Sequence, residues 1–184
     1  MVGEIRDEET AEIAINAGMT GHLVISTIHS GSTSGTFARL INMDIEPFLL
    51  ASTIMGVLGV RLLRTNCMHC ATPHTPEAYA LEQLRQFEGE EYLQMLIDQQ
   101  GFYKGAGCSA CSNTGFSGRG SINELLVCEE QIREAVMQKR ASREIQGMAV
   151  ENGMRTLWES GLQMVVDRKT TLEETLQKVA ADQV

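Results

Sequence analysis

The chain has 184 residues, 43% of them hydrophobic, enough for a core in one large domain or two small ones. Its longest apolar stretch, Phe48 to Val60, is too short to span a bilayer, and residues 1 to 20 lack the basic start and apolar core of a secretory signal, so the expected compartment is the cytosol. A net charge of −9 argues against duplex nucleic acid as a partner, because that binding rests on Lys and Arg neutralising phosphates.

The first element is a short apolar strand through Met1-Val2-Gly3-Glu4, followed by Ile5-Arg6-Asp7. An acidic residue at the end of such a strand is how many nucleotide hydrolases present a carboxylate to Mg²⁺ or to water. A complete site of that kind also needs a G-x-x-x-x-G-K-[ST] loop around the phosphates, and Lys104, Lys139, Lys169 and Lys178 lie in no such context. Half of the catalytic machinery is therefore expected outside these residues, and the 184-residue chain is expected to be inactive alone. Asp7-Glu8-Glu9-Thr10 then starts a helix through Ala11, Ile13, Ala14 and Ala17, with Gly18 as its stop.

Residues His22 to His29 form a β-rich run suited to a buried parallel sheet. His22 and His29 sit at its two ends on opposite faces. Ligand sites of α/β proteins form at the carboxyl ends of strands, which makes His29 the better candidate for nucleotide contact. By spacing alone both also fit hydrogen-bonded structural histidines. Gly31 to Thr36 leads into a helix through Phe37, Leu40 and Ile41; with no lysine it reads as a capping turn, phosphate held on backbone amides being the alternative. Glu46-Pro47 opens a further helix running to Arg64. Strand, helix, strand, helix is an α/β signature.

Residues 65 to 120 hold four of the five cysteines and an expected helical insert from Glu77 to Gln99. Cys67-Met68-His69-Cys70 and Cys108-Ser109-Ala110-Cys111 are two CxxC knuckles, whose four thiolates can converge on one structural Zn²⁺. The 37 intervening residues exceed the usual ribbon gap, so the insert must bring the knuckles together as an outgrowth. Iron satisfies the same spacing, as do two disulfides or free thiols, although a reducing cytosol disfavours disulfides. His69 and His74 are alternative ligands beside the first knuckle, and Cys128, next to Glu129 and Glu130, reads as a half-buried structural cysteine with a raised pKa. From Ser121 onward the pattern is helical: Ile132, Val136 and Met137; Ile145, Met148 and Ala149; Leu157, Leu162, Val165 and Val166; Leu172, Leu176 and Val179. The expected regions are thus 1–64, 65–120 and 121–184.

Taken in order, Val2-Gly3-Glu4-Ile5-Arg6-Asp7-Glu8-Glu9-Thr10-Ala11, Thr20-Gly21-His22-Leu23-Val24 through Thr27-Ile28-His29, the paired knuckles, Gly115-Phe116-Ser117-Gly118-Arg119, Glu124-Leu125-Leu126, Gly153-Met154-Arg155-Thr156-Leu157 and Thr170-Thr171-Leu172-Glu173-Glu174 resemble the type II secretion and type IV pilus assembly ATPase family. The resemblance covers nearly the whole chain. It implies an α/β fold: the carboxyl-terminal part of a RecA-like P-loop ATPase, with an inserted tetracysteine zinc subdomain and a helical end. It further implies a cytoplasmic homohexamer at the inner membrane that uses ATP and Mg²⁺ and pushes on a platform protein to assemble pilins or pseudopilins.

By the same resemblance Glu4 is the Walker B acid, Arg6 and Asp7 complete its signature, His22 and His29 are histidine-box residues, and Cys67, Cys70, Cys108 and Cys111 hold zinc. The tetracysteine subdomain resembles assembly motors and not retraction motors. Met68, Val60 and Ser30-Gly31-Ser32 depart from the family pattern, which implies a divergent branch serving a pilus or conjugation apparatus. The competing expectation is a non-enzymatic zinc-stabilised module that docks a partner through its acidic helical tail.

Overall fold

In the computed structural model, residues 1–99 and 101–179 are described. They form two compact units, each built from two stretches of chain: Met1–Gly59 with Glu124–Arg155, and the described residues of Val60–Asn123 with those from Thr156 onward. This grouping differs from a division at residues 64 and 120. Among the described residues no helix is long and apolar enough to cross a membrane.

In the first unit, α1 (Glu8–Met19) begins where the Asp7 carboxylate accepts the Thr10 N–H at 2.9 Å, and acidic Glu8 and Glu9 complement the helix dipole. It runs one residue past Gly18; Gly21, at φ +87°, carries the chain out of the turn. α2 (Gly35–Ile41) follows the self-bonded Ser30–Ser34 loop, and α3 (Pro47–Thr53) starts with proline at its first position, where a missing N–H is harmless. α6 (Glu130–Met137) and α7 (Ser142–Glu151) close a core of Ile15, Phe37, Leu40, Leu50, Leu126 and Ile132 with their neighbours. The Arg133 guanidinium donates to the Ala51 carbonyl, fixing α6 on α3.

Two expected strands are extended but are not regular strands. Val2 N–H bonds Ile25 O at 3.0 Å and Ile5 N–H bonds Thr27 O at 2.8 Å, with the Thr27 hydroxyl on Gly3 O at 2.9 Å. The two segments thus run side by side in the same direction. Leu23 and Ile25 are 76% and 61% exposed, contrary to the buried run expected. Parallel pairs are stable when both faces are covered, and here one face is bare, so the ladder stays incomplete.

The expected helix from Glu46 to Arg64 is also corrected: it ends at Thr53, and β1 (Gly56–Asn66) follows. Its partner is β4 (Phe116–Val127), so Ser121 to Val127 belong to a strand and the helical series begins only at Glu130. Gly56 lies against Leu126 and Val127, Gly59 against Glu124, and the Thr65 hydroxyl bonds Ser117 O; the partner numbers fall as β1 advances, an antiparallel pairing. Inward Ile122, Glu124 and Leu126 alternate with outward Asn123, Leu125 and Val127. Gly56 and Gly59 weaken a helix there, and the period of two fits the pleat.

In the second unit, short β2 (Ala71–Pro73) and β3 (Tyr103–Gly105) pair antiparallel, Ala71 opposite Gly105 and Pro73 opposite Tyr103. The single insert helix expected is two, α4 (Ala78–Glu88) and α5 (Glu90–Asp98), because Gly89 takes φ +89° between them. They pack through Leu84, Leu93 and Leu96 on Leu162 and Val165 of α8 (Leu157–Val166) and on Leu172 of α9 (Leu172–Val179). Thr156 and Glu159 form a reciprocal cap at the start of α8. Glu174 of α9, almost fully buried, accepts Arg64 Nε at 2.9 Å, Nη2 at 2.5 Å and the Arg64 backbone N–H at 3.0 Å, tying α9 to β1 just ahead of the first knuckle.

Candidate active-site edge and metal centre

The extended segment after Met1 places Glu4 beside the end of the 22–29 segment. Glu4 Oε2 accepts Arg6 Nε at 2.6 Å and Nη2 at 2.5 Å, while Oε1 lies 3.1 Å from His29 Nε2. The Arg6 hydrogen bond, against the weaker effect of burial and with the charges of Arg6, His29 and Arg39, holds the Glu4 carboxyl below its ordinary range. Glu4 is therefore a stably ionised carboxylate at neutral pH, suited to a divalent cation or to orienting water. Arg6 and His29 remain mostly exposed, with side chains 76% and 89% accessible.

The other residues expected at this edge have separate work. Asp7 caps α1, and the Thr10 N–H that it accepts holds its pKa low. His22 Nδ1 lies 3.0 Å from the Thr20 hydroxyl, so the structure joins His29, but not His22, to Glu4 by a direct contact. In the loop before α2 the N-cap residue Ser34 makes no side-chain cap bond, and the Gly35 N–H is instead taken by Ser32 Oγ at 3.0 Å.

The metal centre is built from two ends of the second unit. β1 delivers Cys67, whose N–H bonds Gly115 O at 2.9 Å, and Cys70 N–H closes the first knuckle on Cys67 O at 3.1 Å. The second knuckle is a 3₁₀ turn at Ser109–Cys111, and the β2–β3 ladder brings it beside the first. Gly105 and Gly115 approach so closely that a Cβ on Gly105 would collide with the Gly115 carbonyl.

The four Sγ atoms lie within 4.8 Å of one another, with Cys67–Cys108 and Cys70–Cys111 at 3.9 Å and Cys108–Cys111 at 3.8 Å. A tetrahedron with Zn–S near 2.3 Å has edges of about 3.8 Å. A disulfide needs about 2.05 Å, and all five cysteines are free. Burial works against ionisation of Cys70 and pushes it up to about 12. At Cys111 the N–H groups of Cys108 and Gly115, each 3.3 Å from Sγ, outweigh burial and lower it to about 6. The donor set fits a closed thiophilic metal site.

Neither histidine beside the first knuckle joins the sulfur group found among the described residues: His69 is exposed, and His74 Nε2 lies 3.8 Å from Glu173 Oε1. Cys128 is more deeply buried than expected, and burial, rather than Glu129 and Glu130, raises its thiol to about 11. The Glu174–Arg64 clasp is absent from the sequence-based site. The helical period puts Glu174 on the side opposite Leu172 and Leu176, so no local pattern marked it as buried.

Residues 1–177 match the family model described as Type II/IV secretion system protein. The chain is 43% identical over 176 residues to the type IV pilus assembly ATPase PilB of Thermus thermophilus, covering 96% of this chain and 19% of the relative. It is 40% identical over 176 residues to the type II secretion system protein HxcR of Pseudomonas aeruginosa, covering 96% and 32%. The chain thus spans about a fifth to a third of the length of these curated relatives.

Among solved structures, the ATPase DotB of Yersinia pseudotuberculosis superposes with TM-score 0.63 at 17% identity, covering 98% of this chain and 36% of that one. The pilus retraction motor PilT with bound ADP gives 0.59 at 20% identity, covering 95% and 37%. At these identities the likeness speaks to the fold, which is the α/β RecA-like fold of such ATPases, here with a tetracysteine cluster. On the family match and the identity to its relatives, the chain belongs to the type II/IV secretion system protein family.

Proposed function

We propose that this chain is the carboxyl-terminal part of a hexameric ATPase that powers pilin or pseudopilin assembly at the cytoplasmic face of the inner membrane. The observation that carries the reading is Glu4, bonded by Arg6 and met at 3.1 Å by His29, in a chain whose residues 1–177 match the family. In the whole protein Glu4 orients water or a Mg²⁺ ligand near the terminal phosphate of ATP. Arg6 orients the carboxylate, and His29 reports its state to the segment that follows. His22 serves at the outer end of the same segment.

The four cysteines hold a structural Zn²⁺, which cross-links the two knuckles and leaves no open position for chemistry. The assembly role is favoured over retraction because the tetracysteine site is present and a relative of high identity is named for pilus assembly. The partners in this reading are five further copies of the chain and a membrane platform protein.

The test is Glu4→Gln in the full-length protein. ATP binding stays near normal, and turnover falls by about 10²-fold or more, the scale of losing general acid–base help. Near-normal hydrolysis by that variant would reassign the catalytic carboxylate. An intact protein with no ATP turnover at all would leave the non-enzymatic zinc module as the better reading.

A further inference from the structure

Glu124 lies in β4 at an inward register, flanked by buried Ile122 and Leu126, and is itself 5% exposed. A carboxylate in that place is costly to bury unless its oxygens are hydrogen-bonded. The Thr33 hydroxyl donates to Oε1 at 2.5 Å and Gln146 Nε2 of α7 donates to Oε2 at 3.3 Å. Thr33 is 3% exposed and belongs to the loop immediately after His29. Thr33 Cγ2 also lies against Gly59, 3.0 Å from where a Cβ would be, so the threonine is boxed by β1 as well as by β4.

His29 is too exposed to be placed by packing of its own ring, so its position must be set by the backbone on either side. Upstream, Ile5 N–H on Thr27 O and the partly buried Ile28 fix the approach. Downstream, Ser30 Oγ bonds Ser32 O at 3.0 Å and Ser32 Oγ bonds Gly35 N–H, so the loop is rigid within itself. Local bonds give the loop a shape but not a place. Its long-range side-chain anchor is Thr33 on Glu124, residues 91 apart in sequence.

We infer that Glu124 is a positioning residue for His29: through Thr33 it holds the 30–34 loop so that His29 Nε2 meets the Glu4 carboxylate. This rests on the proposed reading of Glu4 and His29 as parts of the nucleotide site. The charge matters because a carboxylate accepts from Thr33 and Gln146 at once. An amide in its place presents one oxygen and one NH₂ and forces one partner to turn.

The test measures steady-state ATP turnover, zinc content and melting temperature in the full-length protein. Thr33→Val, which keeps the shape and removes the donor, lowers kcat about tenfold with KM and zinc nearly unchanged, as a displaced contributing group does, and lowers the melting temperature because a buried carboxylate loses a donor. Thr33→Ser restores kcat to within about twofold, and Glu124→Gln falls in the same direction as Thr33→Val. In a His29→Ala background, Thr33→Val adds no further loss, because the two act in one chain of contacts. If His29→Ala impairs turnover while Thr33→Val leaves it at the wild-type level, or if the two losses are additive, the positioning role is overturned and the reading of the site stands. If His29→Ala itself turns over ATP normally, that reading fails and the inference with it.

Discussion

Removing the metal should unfold the two knuckles without unfolding the helices inserted between them. Four thiolates within 4.8 Å of one another cannot stay ionised together without a cation, and structural zinc contributes about 10–16 kcal/mol in sites of this type. The segments at 67–72 and 106–115 have few side chains in either apolar cluster of their unit, so in the proposed reading the ion is their main constraint. α4 and α5 differ. Leu84, Leu93 and Leu96 are each at most 2% exposed against α8 and α9. At about 1.5–3 kcal/mol for each fully buried side chain, they contribute on the order of 5–9 kcal/mol, an upper figure because the unfolded chain already hides some of that surface. The assay is hydrogen exchange on metal-free protein, prepared by chelation or as Cys111→Ser, with elemental analysis alongside. We expect about one zinc per chain before treatment. After its loss, protection disappears at the knuckles and persists at 80–86 and 93–97. Loss of protection across α4 and α5 as well would refute the argument that burial holds them. Metal-free protein as isolated, with fully protected knuckles, would remove the zinc assignment.

Two further outcomes follow from the second unit. Burial opposes ionisation of Glu174, yet the bonds from the Arg64 side chain and backbone N–H prevail and hold its carboxyl below the ordinary range. A carboxyl lowered on folding stabilises the protein above its unfolded value, near 4.5, and that contribution disappears as pH falls through the lower folded value. Glu174→Gln should therefore cost about 1–3 kcal/mol at pH 7 by denaturant melts, a range kept low because Arg64 is half-exposed, and the gap to wild type should begin to narrow as pH falls below the unfolded value and close only beneath the lower folded one; a pH-independent gap would place the effect elsewhere. Gly105→Ala forces its new methyl into the Gly115 carbonyl, displacing the second knuckle, so competition with a chromogenic chelator should show at least about tenfold weaker zinc binding. Wild-type affinity in that variant would mean the two glycine backbones are not held together.

The clustering of the four cysteines and the ends of several helices were legible in the sequence because their chemistry is local. A two-residue spacing turns both sulfurs of a knuckle to one side, and Asp7 caps the helix three residues ahead of Thr10. The order of motifs likewise placed the chain in its family before any distance was known. What the sequence could not decide was the conformation of apolar runs that satisfy two periods. Residues 56–64 read as a continuing helix until β4, some sixty residues later, supplies the hydrogen bonds of a strand. Ser121–Val127 were misread for the same reason. The segments at Met1–Asp7 and His22–His29 carry strand-like sequences, yet one face stays bare and the ladder incomplete. Only tertiary structure brought His29 onto Glu4, Thr33 onto Glu124 and Glu174 onto Arg64. Each of these pairs joins residues 25 to 110 positions apart, and a side chain carries no local mark of a partner that only the folded chain supplies.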